Sequence, residues 1–301
     1  MVYYFSVNIY FKYYIIKTNH FCYLMEYILV NNKYNVLKQI GEGNFGKIFK
    51  GENIRTNELV AIKVEPIEDN FKMLKNEAII YQHLLHTYGM PNLKWFGKDK
   101  HNYYLVITLL GKSLEHYIQQ KGKFSIKLTL QIGVQVINLL KTIHDKGLIH
   151  RDIKPENFLF GNDDESKQLY IIDFGLSKTY INYEKKCHIE MKNSNNIIGT
   201  PSYVSLNGHK LLELSRRDDL ESLGYMLIYL YCGKLKWQKV NIYENFEKSN
   251  ALIMKAKMNL RKLYNLPDIF YNYFVYVRNL EFQEMPDYLF IIKIFQEYLN
   301  K

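Results

Sequence analysis

His150-Arg151-Asp152-Ile153-Lys154-Pro155-Glu156-Asn157 sets an acid, a cation and an amide within one octapeptide. Its HRDxxxxN spacing puts all three on a single loop. That combination suits the movement of a phosphoryl group. Asp152 would accept or orient a hydroxyl proton, Lys154 would neutralise charge on the group in transit, and Asn157 would hold a Mg2+ ion. Downstream, Asp173-Phe174-Gly175 follows the apolar run Leu169–Ile172, and Asp173 would coordinate Mg2+ bridging phosphates.

Two earlier motifs extend the set. Gly41-Glu42-Gly43-Asn44-Phe45-Gly46 is a GxGxxG loop, in which glycines let backbone N–H groups approach phosphates without Cβ interference. Alone it is weak, since an ordinary glycine hairpin can carry the same letters. A dinucleotide site would follow it with a helix. Here Lys47-Ile48-Phe49-Lys50 continues as strand, which favours a flap over ATP. Val60-Ala61-Ile62-Lys63 then matches a strand whose lysine bridges phosphates and a helix glutamate. Glu77, in the helical pattern that follows, is the candidate partner. A lone strand lysine is ordinarily a solvated edge residue, and the ordered set of motifs argues against that here.

Composition sets the class. The 301 residues are 48% hydrophobic and 23% charged, which fits one large folded domain, or two lobes sharing an active cleft, rather than a disordered chain. A net charge of +10 favours acidic partners, with a generally basic solvated surface as the plainer alternative. The 27 tyrosines read as core and boundary residues rather than a nucleic-acid stacking surface. Cys22, Cys187 and Cys232 are widely spaced and form no zinc pattern, so a reducing intracellular compartment, cytoplasm or nucleus, is expected. Residues 1–24 are apolar and aromatic, but Lys12 and Lys17 leave no uncharged span long enough for a membrane helix. A disordered or loosely packed extension is expected there, or a chain whose natural start is Met25.

The pattern changes character along the chain. From Tyr34 to Ile107 it is strand-rich, with β runs at Val36–Ile40, Lys47–Lys50, Leu59–Val64 and Tyr103–Ile107, and a helix over Phe71–Leu85. Beyond Gly111 helical patterns dominate, at Ser113–Gln120, Leu128–Lys146, Asp218–Tyr231 and the tail after Leu266. An α+β architecture follows, with a small strand-rich lobe over 25–110 and a larger, mainly helical lobe over 111–301.

Ser215-Arg216-Arg217-Asp218-Asp219-Leu220-Glu221-Ser222-Leu223-Gly224-Tyr225 resembles the hallmark of the casein kinase 1 family of serine/threonine protein kinases. So do DIKPENFL at Asp152–Leu159, IIDFGLSK at Ile171–Lys178 and LLGKSLE at Leu109–Glu115. Other protein kinases carry Ala-Pro-Glu where this family has Ser-Ile-Asn, and Ser205-Leu206-Asn207 is similar, so the absent brace glutamate is a feature of the branch. The resemblance runs from about Met25 to about Tyr298. It implies a bilobal kinase fold and a monomer that uses ATP and Mg2+ to phosphorylate Ser/Thr hydroxyls of acidic protein substrates. It also implies Ile107 as gatekeeper, backbone groups of Thr108 and Leu110 on the adenine, and Ile48 and Ala61 in the apolar roof. Ile40 and Leu159 complete the nucleotide set, Asp219 braces the catalytic loop, and Thr200 lies beside Asp152 and Lys154. The resemblance also implies Ser/Thr rather than Tyr transfer, through Lys154 two residues after Asp152.

The departures from the family bear on substrate choice. The family typically reads Gly-Thr-Ala-Arg-Tyr-Ala-Ser, and its Arg belongs to a basic pocket for a phosphate already on the substrate. Ser202 stands there in this chain, and Asn195 stands at a second basic position. Lys192 keeps a nearby charge, and Lys248 aligns with a third pocket residue. Losing a bidentate guanidinium should weaken primed recognition by about 1–3 kcal/mol. Two rivals remain on sequence alone. One is a pseudokinase or scaffold that kept the residues and lost the activity. The other is a nucleic-acid binder using Lys255, Lys257, Arg261 and Lys262, against which a solvated basic helix face is the better explanation. Phosphorylation at Thr179, Tyr180, Tyr183 or Ser194 is compatible with the sequence, and the resemblance implies activity without it.

Overall fold

The computed structural model describes residues 11–18, 21–43, 46–67, 73–162, 167–241 and 244–301. The chain divides into two compact units, one of residues 1–86 and 90–110, the other of residues 87–89 and 111–301. No helix among the described residues is long and apolar enough to cross a membrane.

The first unit is built on an antiparallel sheet. Its strands are β1 (Phe11–Thr18), β2 (Phe21–Val30), β3 (Tyr34–Gly43), β4 (Gly46–Asn53), β5 (Leu59–Pro66), β6 (Leu93–Lys98) and β7 (Asn102–Thr108), in the order β1-β2-β3-β4-β5-β7-β6. The period-2 alternation of β5 sorts its residues. Val60 and Ile62 are fully buried and pack with Val30, Tyr34, Tyr104 and Val106. Ala61 and Lys63 point the other way and stay partly exposed. Two irregularities in the pairing of β3 with β4, at Val36/Lys38 and Gln39/Gly41, add twist just before the glycine turn. Where a loose extension was expected, the backbone of β1 pairs with β2 from Phe11 opposite Ile28 to Thr18 opposite Phe21. Aromatic and β-branched residues favour such pairing. Residues 1–10 and 19–20 lie outside the described set.

One helix, α1 (Met73–His83), belongs to this unit. The buried carboxylate of Glu65 accepts the Leu74 N–H at 3.0 Å, satisfying one of the free amides at the start of the helix. Leu74, Glu77, Ala78, Ile80 and Tyr81 form its buried face.

The second unit is mainly helical: α2 (Leu114–Lys121), α3 (Ile126–Asp145), α4 (Leu206–His209), α5 (Arg216–Cys232), α6 (Phe246–Met258), α7 (Leu260–Leu263), α8 (Asp268–Asn279) and α9 (Tyr288–Leu299). Ser125 caps α3 by accepting the Leu128 N–H, and Asp287 caps α9 through the Phe290 N–H. Helix α5 has no polar face. It is buried from Asp218 to Leu230 and ends at Gly233 in the left-handed conformation. Short strand pairs lie between the helices: β8 (Leu148–Ile149) with β11 (Lys178–Thr179), β9 (Phe158–Phe160) with β10 (Leu169–Ile171), and β12 (Ile181–Asn182) with β13 (Cys187–His188). The octapeptide 150–157 therefore leaves β8 and enters β9, while Asp173 lies between β10 and β11. These pairings fix both ends of each loop.

Candidate active site

In the first unit, strand register gathers the expected nucleotide residues on one face of the sheet. Ile48 is paired with Lys63, Ala61 with Ile107, and Gly41 with Ile48. Ile48, Ala61 and Ile107 form a half-buried apolar strip around the lysine. Lys63 Nζ lies 2.8 Å from Glu77 Oε2, whose side chain is buried. The ladder also explains Gly46: a Cβ there would sit 2.1 Å from the Val64 carbonyl oxygen. Gly43 pairs with Gly46, and Glu42 with Lys47. Asn44 and Phe45 lie outside the described residues. Ile40 is exposed at the end of the strip. The Thr108 N–H is used by the Asn92 carbonyl at 3.0 Å, so Thr108 offers a ligand its carbonyl rather than its amide. Leu110 is half-buried at the last residue of the unit.

In the second unit, the acid, the cation and the amide of the octapeptide meet. Lys154 Nζ is 2.7 Å from Asp152 Oδ2, and Asn157 Nδ2 donates to the Asp152 carbonyl at 2.8 Å and to Oδ2 at 3.3 Å. The other oxygen, Oδ1, accepts the Thr200 N–H at 2.9 Å and its hydroxyl at 2.7 Å, while Lys154 donates to Thr200 Oγ1 at 3.2 Å. Burial lowers the Lys154 pKa, but the carboxylates of Asp152, Glu156 and Asp173 outweigh it, so the ammonium is held above the ordinary lysine value. Burial raises the Glu156 carboxyl. Leu159 is half-buried in β9, bridged to Ser113.

The loop's shape is enforced from α5. Asp219 accepts the His150 N–H at 2.7 Å on one oxygen and the Arg151 N–H at 2.8 Å on the other. Arg151 has φ 68°, a conformation costly for a side-chain-bearing residue, and this bond holds it there. A buried histidine backs the carboxylate: His144 Nε2 is 3.0 Å from Asp219 and Nδ1 is 2.7 Å from the Tyr288 hydroxyl. Burial pushes Asp219 up, but the hydrogen bond from His144, with the neighbouring His150 and its backbone N–H, leaves it below the ordinary value. An ionised Asp219 then takes Nε2–H, and the Tyr288 hydroxyl donates to Nδ1. His150 Nε2 donates to the Ile172 carbonyl at 3.0 Å, and the Ile172 N–H donates to the Asn157 carbonyl at 3.0 Å. These two bonds tie the octapeptide to the strand that delivers Asp173, itself at φ 66° and followed by fully buried Phe174.

Residues 199–207 close over the same carboxylate. Gly199 has φ 95°, and a Cβ on it would meet the Arg151 carbonyl oxygen at 2.3 Å. Ser205-Leu206-Asn207 is held by two acids of α5. Glu221 Oε2 accepts the Leu206 N–H at 3.2 Å, while Oε1 takes Arg278 Nε at 3.1 Å and the Tyr225 hydroxyl at 2.6 Å. Asp218 accepts from the Ser205 hydroxyl and the Asn207 amide, and burial raises it to about 6. Sequence spacing carries no signal for these bonds, because the acids lie on a helix and not in the segment.

Two expectations need correcting. Lys257 does not lie on a solvated basic face. It is fully buried, with the Pro201 and Val204 carbonyls and His209 as acceptors, and the aromatic rings of Tyr225 and Trp237 cover it. Arg261 is exposed, over the Tyr271 ring. Tyr180 is no open phosphorylation site: its buried hydroxyl donates to the His144 carbonyl at 2.6 Å, beneath Arg216. Of the basic pocket positions, Ser202 gives its carbonyl to Trp237 Nε1 at 2.9 Å, and Asn195, Lys192 and Lys248 are exposed. The model of the Protein kinase domain matches residues 34–280, most of the chain, and the protein belongs to that family.

Proposed function

We propose that this kinase transfers the γ-phosphoryl group of ATP to serine and threonine hydroxyls of acidic protein segments. It acts as an intracellular monomer of the casein kinase 1 type with weakened dependence on a priming phosphate. The observation that carries this is the Asp152 carboxylate, bonded by Lys154 on one oxygen and by Thr200 on the other. Asp152 orients the incoming hydroxyl and receives its proton as the new O–P bond forms and the bond to the ADP oxygen breaks. Lys154, kept cationic by three carboxylates, faces the negative charge that spreads over the transferring group. Lys63, held by Glu77, orients the α- and β-phosphates, and the glycine loop offers its amides to them. Ile40, Ile48, Ala61 and Ile107 bind the base by apolar contact, with Thr108 and Leu110 offering backbone groups.

A divalent cation suits the residues present. Asn157 commits its amide nitrogen to Asp152, which leaves its oxygen for a ligand. With the Asp173 carboxylate this makes an oxygen-only set suited to a hard cation. Among the described residues no cluster of three or more His, Cys, Asp or Glu forms a closed cage. Mg2+ is usually held this way, by one or two protein oxygens plus phosphates. When bound it would neutralise phosphate charge.

The weakened priming follows from Ser202 and Asn195, which offer no guanidinium. The test is phosphorylation of one serine peptide with and without a priming phosphate, beside its tyrosine counterpart, using Asp173→Asn as blank. Near-equal rates on the two serine peptides and none on tyrosine are expected. A strong primed preference would show that Lys192 and Lys248 rebuild the pocket. No rate above the blank, on peptide or casein, would replace the reading with a pseudokinase.

A further inference from the structure

Lys257 is the one fully buried lysine among the described residues, and no step of phosphoryl transfer uses it. Its ammonium meets three acceptors. Two are the carbonyl oxygens of Pro201 at 2.9 Å and Val204 at 2.6 Å. The third is His209 Nε2 at 2.9 Å. Asn250 donates Nδ2 to the His209 carbonyl, so its Oδ1 faces His209 Nδ1 as an acceptor. His209 therefore carries its proton on Nδ1 and presents a lone pair at Nε2. Three acceptors match the three N–H bonds of an ammonium and leave none unused.

The environment is arranged around that charge. The Tyr225 ring lies 4.5 Å from Nζ and the Trp237 ring 5.7 Å. Burial pulls the lysine pKa well below its ordinary value, the Glu221 carboxylate opposes that, and the Arg278 guanidinium adds to it. The same Trp237 holds the Ser202 carbonyl through Nε1. The Thr200 carbonyl is taken within the turn by the N–H groups of Tyr203 and Val204. So the carbonyls of Thr200, Pro201, Ser202 and Val204 all have partners, and Lys257 supplies two of them. At its other end the same turn delivers the Thr200 N–H and hydroxyl to Asp152 Oδ1.

We infer that Lys257 is a positioning residue: its buried ammonium sets the turn Thr200–Val204 against Asp152 and thereby fixes where a peptide substrate presents its hydroxyl. This rests on the kinase reading above for its catalytic consequence. The clamp itself is a property of the fold and is measured without turnover.

The experiment compares wild type, Lys257→Met and, as a control on a nearby exposed cation, Arg261→Met, all as the full chain. Backbone deuterium exchange is followed over 199–206 and over 148–153, with KM and kcat for peptide and for ATP in parallel. Methionine keeps the length and removes every donor. Exchange at Thr200, Ser202, Tyr203 and Val204 should quicken about 10–100-fold, the loss of hydrogen bonds to a charged donor. The amides of His150 and Arg151, held by Asp219, should not change. KM for peptide should rise about tenfold while KM for ATP stays put. Unchanged exchange over 199–206, or an equal quickening of both segments, would overturn the inference. If the methionine variant does not fold, Lys257→Gln gives the same reading with two donors kept and a smaller shift expected. A wild type that phosphorylates nothing would remove the kinase reading, and the exchange comparison would still decide the clamp.

Discussion

Residues 150–152 and residues 199–207 border the same carboxylate, yet they are fastened in opposite ways. The backbone amides of the first converge on one acid, Asp219, which takes two successive N–H groups with a histidine behind it, while the His150 and Arg151 side chains donate to the Ile172 and Leu176 carbonyls. The second is held at many points: Asp218 at Ser205 and Asn207, Glu221 at Leu206, Trp237 at Ser202 and Lys257 at Pro201 and Val204. One acceptor shared by two successive amides suits a loop that must keep a strained residue, Arg151, in a single conformation. Spread anchors divide the hold on a segment so that no single bond dominates. Both draw on α5, whose three acids Asp218, Asp219 and Glu221 are buried and fully partnered.

The contrast predicts a ranked series. Asp219→Ala strands three donors at once and should cost about 3–5 kcal/mol in denaturant unfolding, with a loss of activity of about 100-fold from the misplaced loop. Arg278→Met removes the guanidinium beside buried Glu221 and should cost about 3 kcal/mol. Its activity should fall less than that of Asp219→Ala at equal stability. A third test uses acid. Burial, then the charge of Lys257, depresses His209 to about 3. The unfolded chain binds that proton as pH falls through about 6.5 while the folded chain does not, so stability drops on the acid side. His209→Gln should therefore lose about 2 kcal/mol less than wild type between pH 7 and pH 5. Asp218, raised to about 6, acts in the opposite sense in both proteins and cancels in the comparison. The smallest effect is expected for Ser205→Ala, one anchor of several and the cap of α4, at about 1 kcal/mol with activity nearly retained. If that variant loses as much activity as Asp219→Ala, the idea of spread anchoring is wrong.

Legibility in the sequence followed the same division. Chemistry written in consecutive residues could be read directly: the glycine loop, Val60–Lys63, the octapeptide and Asp173–Gly175 all announce themselves by spacing. Glu77 could be matched to Lys63 because one helical pattern, Phe71–Leu85, lies between that strand and the next expected one at Tyr103–Ile107. The strand Leu93–Lys98 was missed because an irregularity between Leu93 and Trp95 breaks its alternation. Lys257 was misread because its neighbours Lys255, Arg261 and Lys262 make it look like one cation of a solvated face. Its partners lie some fifty residues upstream, where no local pattern reaches. Glu221 is hidden likewise, since its bond to the Leu206 amide joins a helix to a segment 15 residues upstream.

Tyr288 belongs to the final helix, yet its hydroxyl completes the contact behind Asp219. During synthesis at about 5–20 residues per second, roughly 7–28 s separate the emergence of His150 from that of Tyr288. Throughout that interval His144 lacks the partner that orients it, and the acid it steadies has one support fewer. A nascent chain would thus carry every reactive group of the catalytic loop before it could hold them in working order. Docking of α9 would then be the step that completes the contact behind Asp219.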